Sequence, residues 1–181
     1  MSQKTIEECI RSRRSIRAFR PEKPPIEQVE ALLRLAVMAP SGSNIQPWRF
    51  VVVTEEAIIR MLKAVSPGIN GEPAYLIVFC SDKELAFEKG GPMGRDELSV
   101  MDVSMAAENF MLAANGRGLG TCAIKSFPDI LIARYLNLPE KIYPELIVSL
   151  GYPAQEVTGP ERIPIEEITY YNGWGGKKNG A

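Results

Sequence analysis

The sequence predicts an α+β fold, a sheet wrapped by helices, and three observations carry that expectation. Tyr75-Leu76-Ile77-Val78-Phe79-Cys80 is a nearly continuous apolar run of strand length, as suits a strand covered on both faces. Val29, Leu32, Leu33, Ala36 and Val37 recur at helical spacing. Leu98, Met101, Met105 and Leu112 do the same over the longest periodic stretch of the chain, thickened by Ala106, Phe110 and Ala113. The length of 181 residues suits a single domain spanning 1–181. A chain of this size buries roughly 70% of its unfolded surface and needs neither disulfide nor metal to fold.

Taken in order, the first helix starts at Thr5, a capping residue followed by Glu7 and Glu8, with Ile6, Cys9 and Ile10 on one apolar face. Arg13-Arg14-Ser15-Ile16-Arg17-Ala18-Phe19 follows, the densest positive cluster in a chain of net charge -1. Ile16 and Phe19 anchor it to the core. Its guanidinium forks suit an anionic group, and a solvated basic turn is the competing reading.

Pro21, Pro24 and Pro25 exclude a helix until Ile26, and the helix then ends at Ala39-Pro40. Pro40 to Trp48 is a loop of small polar residues framed by prolines, able to offer amides and hydroxyls to a ligand or to serve as an ordinary turn. Trp48 is expected in the core, ahead of a strand over Arg49–Val53. Glu55 to Val65 reads as a helix, and Ser66 to Pro73 as a loop. Lys83 to Glu97, polar and containing Gly90-Gly91-Pro92-Met93-Gly94, reads as a mobile excursion beside an opening. Leu98 to Asn115 is the central helix, broad enough in apolar surface to meet a second subunit. Asp102 and Glu108 on it are expected to be solvated or capping. Gly118-Leu119-Gly120-Thr121 then permits close backbone approach, or simply caps the helix and turns. Pro128 opens a short helix to Leu136, and Leu146–Leu150 is a strand. From about residue 154 a proline- and glycine-rich tail carries Ile163, Ile165, Ile168, Tyr170, Tyr171 and Trp174 as anchors for packing on this subunit or a partner, and 177–181 is expected to be disordered.

Composition excludes several classes. There is no histidine, and Cys9, Cys80 and Cys122 are dispersed, so zinc and histidine-based nucleophilic centres are not expected. The absence of a disulfide framework fits a reducing, cytoplasmic setting. The start Met1-Ser2-Gln3-Lys4-Thr5 lacks the apolar core of a signal peptide, and no run is long enough to span a bilayer. The balanced charge argues against nucleic acid as a partner. Neither a P-loop nor a dinucleotide G-x-G-x-x-G in its proper context is present.

Four stretches, in order, resemble the FMN-dependent nitroreductase family: the R-R-S-x-R-x-F opening, Ala39-Pro40-Ser41-Gly42-Ser43-Asn44-Ile45-Gln46-Pro47-Trp48, the helix with Asp102, Asn109 and Leu112-Ala113-Ala114 before G-L-G-T, and Gly151-Tyr152-Pro153 with Arg162-Ile163-Pro164. The resemblance implies a mixed, mostly antiparallel sheet in an interlocked homodimer, with FMN at the interface and the tail reaching the partner. It implies that Arg13 and Arg162 pair the FMN phosphate, that Arg14 and Ser15 contribute along it, and that Arg17 stabilises charge at the N1/O2 side of the ring. Pro40, Ser41, Ser43 and Asn44, with Gln46 in the same motif, would line the cofactor from the other subunit. Ala123-Ile124-Lys125-Ser126 matches the family's strip along the flavin, where the Lys125 backbone N–H would reach N5, and Asn70 would meet the pyrimidine edge. Lys125-Ser126 stands where the family often has Glu-Gly, which changes the charge facing substrate. No protein nucleophile or metal is required, since the flavin carries the chemistry.

The activity implied is reduction of nitroaromatics, quinones or related acceptors with NADH or NADPH, in two half-reactions at one open site. Two alternatives accompany it: a flavoprotein of the same fold with other chemistry, such as flavin destruction, dehalogenation or ene reduction, and a non-enzymatic anion-binding or interaction module.

Overall fold

A computed structural model of the chain describes residues 4–177. Its centre is a four-stranded sheet ordered β1-β2-β4-β3, with β1 Trp48–Val53, β2 Tyr75–Asp82, β3 Gly120–Ile124 and β4 Ile142–Gly151. All three pairings are antiparallel, and among the described residues the one parallel contact is an isolated bridge between Ser15 and Thr121. Every residue of β2 is buried, which is why its sequence does not alternate.

The alternation of the strand splits its side chains between two cores. Ile77 and Phe79 pack with Val148 and Leu150 against α2 (Ile26–Ala36) and α5 (Ser99–Gly116), through Val29, Leu32, Ala106 and Phe110. Leu76, Val78 and Cys80 face the other way, against α3 (Glu56–Val65) and α6 (Asp129–Tyr135), through Ile59, Leu62 and Ile132. Phe50, Phe79 and Phe110 form a chain of edge-on rings at 5.1 and 5.5 Å. Trp48 belongs to this core, as expected.

Helix α1 (Ile6–Ser12) is closed by a full capping box in which Thr5 and Glu8 exchange hydrogen bonds. Only Cys9 of its apolar trio is buried, whereas Ile6 and Ile10 face outward. The sequence pattern marked an apolar face that the rest of the described chain leaves exposed. Helix α5 is also apolar on two sides: Val103, Ala106, Ala107, Phe110 and Met111 enter the core, while Val100, Met101 and Met105 remain exposed.

Three boundaries differ from expectation. Helix α2 stops at Ala36, and Val37–Ala39 form the turn. Strand β4 begins at Ile142, ahead of the purely apolar part of the run. The polar stretch 83–97 is no mobile excursion: α4 (Lys83–Met93) is capped by the Asp82 side chain, breaks at Gly91 with φ 61°, and enters α5 through a π-turn over Gly94–Leu98. Its polarity reflects an exposed outer face, since Ala86 and Gly94 are buried on the inner one. The tail beyond Tyr152 holds one turn of helix, α7 (Ile165–Ile168), and leaves Ile163, Ile165, Ile168 and Trp174 exposed. The disorder expected over 177–181 falls, except for Lys177, outside the described residues.

Candidate functional site

The arginine loop is fastened to the free edge of the sheet. The Ile16 N–H donates to the Thr121 carbonyl at 2.8 Å, and Ala18 and Arg20 bond to Ala154 and Tyr152 beyond the end of β4. Beside this seam lies a cavity of about 430 Å³ lined by Arg13, Arg14, Arg20, Asn115, the Gly118–Thr121 backbone and Gln155–Val157. The Arg13 guanidinium stands 3.5 Å from the Glu108 carboxylate, so Glu108 is a partner of the cluster and not merely a solvated charge. Arg14 folds back and donates through Nη1 to the Arg11 and Arg13 carbonyls at 2.8 Å, closing the end of α1. Its Nε is buried without a partner. An unpartnered buried donor of a permanent cation is costly, and Gly159 of the tail lies against it.

The strip expected along the cofactor continues from this cavity. The Thr121 carbonyl is turned away from β4 to meet Ile16. In an antiparallel ladder, backbone groups alternate in direction, so the Ala123 N–H also points to the open edge, and Lys125 follows directly after the end of β3. From Thr121 to Lys125 the edge runs about 13 Å at the usual strand rise. The loop 66–71 backs it. Ser66 donates to the Ser126 carbonyl at 3.1 Å, and Gly71 sits against the Arg17 backbone. Asn70 donates to the Gly68 carbonyl at 3.0 Å, which leaves its own oxygen free. Arg13, Arg14, Ser15, Arg17, Asn70, Ala123, Ile124, Lys125 and Ser126 are thus brought together, with Arg17 and Lys125 exposed and Ser15 half-buried.

The Lys125 side chain does not extend freely. Its ammonium sits 2.7 Å from Asp129, 3.3 Å from the Pro144 carbonyl and over the ring of Phe127. Asp129 also accepts from the Tyr143 hydroxyl, which pushes that phenol up to about 12. The charge expected to face substrate is therefore largely matched within the chain.

Pro40, Ser41, Ser43, Asn44 and Gln46 lie elsewhere. Their loop makes a 3-10 turn over Gly42–Asn44 beside the π-turn and the start of α5. Ser43, Asn44 and Gln46 all hold positive φ, at 50°, 55° and 55°. Asparagine tolerates this region, but serine and glutamine pay about 1 kcal/mol each for it. Neither residue type signals that strain in the sequence. Ile45, 2% exposed, plugs the loop into α4.

Asp102 grips the loop: Oδ1 accepts from the Gly42 N–H at 3.0 Å, and Oδ2 is buried without a partner. Desolvation raises its pKa, offset in part by the Gly42 hydrogen bond. Asp102 is therefore neither solvated nor capping its own helix, as the sequence had suggested, because the loop folds over it.

At the other end of the same helix, Asn115 bonds to Cys9 and Ser12 beside the cavity. Thirteen residues separate Asp102 from Asn115, which is about 20 Å along a helix. One chain does not bring its two sets of predicted residues together. Arg162 joins neither: it is exposed, three residues past Gly159, where the tail leaves its contact with Arg14. Sequence reasoning missed Lys4, Ser12, Arg20 and Asn115 at the cavity. The only available signal was the position of Asn115 at the helix end, next to Gly118-Leu119-Gly120. Among the described residues no group of three or more Cys, Asp or Glu side chains is placed to hold a metal ion, and no helix is long and apolar enough to cross a membrane.

This sheet, with helices on both faces, is shared with solved structures of oxidoreductases. A crystal structure of a nitroreductase family protein from Clostridium difficile 630 matches it with a TM-score of 0.83 at 27% identity, over 94% of this chain and 99% of that one. The family model described as Nitroreductase family matches residues 10–75 and 66–152, and the chain belongs to that family. A Methanothermobacter thermautotrophicus protein named among the NADH dehydrogenase/NAD(P)H nitroreductases is 31% identical over 179 residues, covering 92% of this chain and 90% of that one. An FMN reductase (NADPH) from Bacillus subtilis is 26% identical, over 91% of this chain and 72% of its own length.

Proposed function

We propose that the chain is an FMN-dependent oxidoreductase that draws reducing equivalents from NADH or NADPH and delivers them to nitroaromatics, quinones or related acceptors. The observation that carries the proposal is the continuity of the arginine-lined cavity with the free edge of β3. The residues present fit the cofactor. Arg13 and Arg14 line the cavity and bring two permanent positive charges to a phosphate held there. The outward N–H of Ala123 would donate along a flat ring, with the Lys125 backbone next on the same strip, and Arg17, whose backbone meets Gly71 beside Asn70, would flank it.

When bound, FMN supplies the centre that takes hydride from the nicotinamide and passes electrons on. The chain supplies orientation and charge. Arg13 and Arg14 would hold the phosphate, and Arg162, exposed on the tail, would join them only on movement of that tail. The Lys125 backbone N–H would donate to the bound ring, and Arg17 would offset negative charge on it. The Lys125 ammonium, matched by Asp129, leaves the acceptor side without a strong net charge, which suits neutral aromatic acceptors.

The single domain 1–181 works as a homodimer in this reading. Ser41, Ser43, Asn44 and Gln46 lie at the Asp102 end of α5, about 20 Å along the helix from the Asn115 end that lines the Arg13 cavity, so the partner's copy of the loop completes each site. The exposed faces of α1 and α5 and the apolar tail supply the interface.

The test is the visible spectrum of the purified protein, identification of the released chromophore, and anaerobic titration with NADH and then NADPH. A yellow dimer with about one FMN per chain, bleached by a nicotinamide and reoxidised by a nitroaromatic or quinone, is the expected result. A colourless protein that takes up no FMN would leave the arginines to an anion or a partner protein. A monomer that holds FMN would remove the shared site.

A further inference from the structure

The loop Ser41–Gln46 is held in strained backbone by bonds that are almost all its own. The Asn44 N–H donates to the Ser41 carbonyl at 3.0 Å, the Gln46 N–H to the Ser41 hydroxyl at 3.1 Å and the Gln46 amide to Asn44 at 2.8 Å. Among the described residues a single side-chain hydrogen bond ties this loop to another element, and it comes from Asp102. That carboxylate is 1% exposed and has one oxygen with no partner. An apolar side chain would fill the place without desolvating a charge, so helix stability alone gives no reason for it.

We propose that Asp102 is a positioning residue for the partner-facing half of the flavin site. It pins the Gly42 N–H so that Ser41, Ser43 and Asn44 already stand in cofactor-binding geometry before the cofactor arrives. The inference rests on the flavin reading above. Leu98, one turn earlier on the same helical run, closes on Gly42 from the side: a Cβ there would stand 2.8 Å from Leu98 Cδ1. The start of α5 thus clamps one residue between a carboxylate and an apolar side chain. Released from the clamp, the loop relaxes toward less strained conformations, and binding must order it again.

The test uses the full-length chain with Asp102→Ala and Asp102→Asn. Two readouts are needed: the FMN dissociation constant, by flavin fluorescence, and amide hydrogen exchange over Gly42–Gln46 in the FMN-free protein. Asp102→Ala should raise the dissociation constant by about tenfold and speed exchange in the loop. Asp102→Asn keeps an oxygen for the Gly42 N–H and should return both to within about twofold of wild type. If Asp102→Ala lowers only the melting temperature, with FMN affinity and loop exchange unchanged, the proposal is overturned. Equal loss in both variants also overturns it, since the acceptor would then not be the operative feature. Should Asp102→Ala fail to fold, Asp102→Leu, which keeps the volume but removes the acceptor, takes its place: faster loop exchange with weaker FMN binding upholds the assignment, and wild-type values end it. A wild type that binds no FMN removes the flavin reading, while the exchange comparison still shows whether Asp102 holds the loop.

Discussion

Gly71 meets Arg17 backbone to backbone. A Cβ on Gly71 would fall inside the van der Waals shell of the Arg17 carbonyl oxygen, and Gly71 holds φ +65°. The contact joins the loop carrying Asn70 to the arginine stretch, so it sets the spacing of two predicted ring contacts. Gly71→Ala should cost about 2 kcal/mol of stability, from the left-handed backbone and the displaced contact together. Urea unfolding checks it, and a change under 0.5 kcal/mol would mean that the loop is free to move aside.

The Arg13 guanidinium is assigned to the phosphate and to nothing on the ring. Arg13→Ala should weaken FMN by roughly 10- to 100-fold and leave riboflavin, which lacks the phosphate, nearly unchanged. Parallel fluorescence titrations of the two ligands give the ratio. Equal losses for both would place Arg13 elsewhere.

Thr5 closes the capping box of α1, and its hydrogen bonds hold the Glu8 carboxyl below its usual value. A depressed carboxyl pKa stabilises the fold above the unfolded value near 4.5, and this is lost as pH falls through the folded value. Thr5→Ala should cost about 1 kcal/mol near neutral pH. The gap between variant and wild type should narrow as the medium is acidified below that range. Melting temperatures of both proteins from pH 7 down to about pH 3 test the sign.

Tyr143 titrates in the opposite sense. Its phenol is pushed up to about 12 by donation to Asp129, with burial second. The neutral phenol is the favoured form, so its contribution is complete below the unfolded value of 10.0 and fades as pH rises through 12. Comparing tyrosinate absorbance of wild type and Tyr143→Phe should show the missing phenol in the highest-pH part of the titration. Its loss from the part near pH 10 would mean that the Asp129 bond does not persist in solution.

Much of this molecule could be read from local pattern. The all-apolar Tyr75–Cys80 run became the strand buried on both faces, because burial on two sides erases alternation. Thr5 with Glu8 wrote the start of α1 outright. The stretch 83–97 was misread because glycine and proline mark loops on average, while here Gly91 and Pro92 sit at a break within a continuous helical path. Asp102 was misread for a different reason. Its environment is made by a loop 60 residues earlier in the chain, and no local window reports that a turn will fold over a helix. The positive φ angles of Ser43 and Gln46 were equally hidden, since neither residue type signals that conformation. The arginine stretch was legible as a cluster, but the inward fold of Arg14 onto the end of α1 depends on where α1 stops.

The 20 Å that α5 places between its Asp102 end and its Asn115 end has a genetic consequence. If each site draws its arginines from one chain and its strained loop from the other, the working unit belongs to the pair. A chain carrying Arg13→Ala and a second chain damaged in the Ser41–Asn44 loop would each be poor as homodimers. Produced in the same cell, they would assemble mixed dimers in which one site collects both lesions and the other collects neither. Two defective alleles of this gene would complement each other.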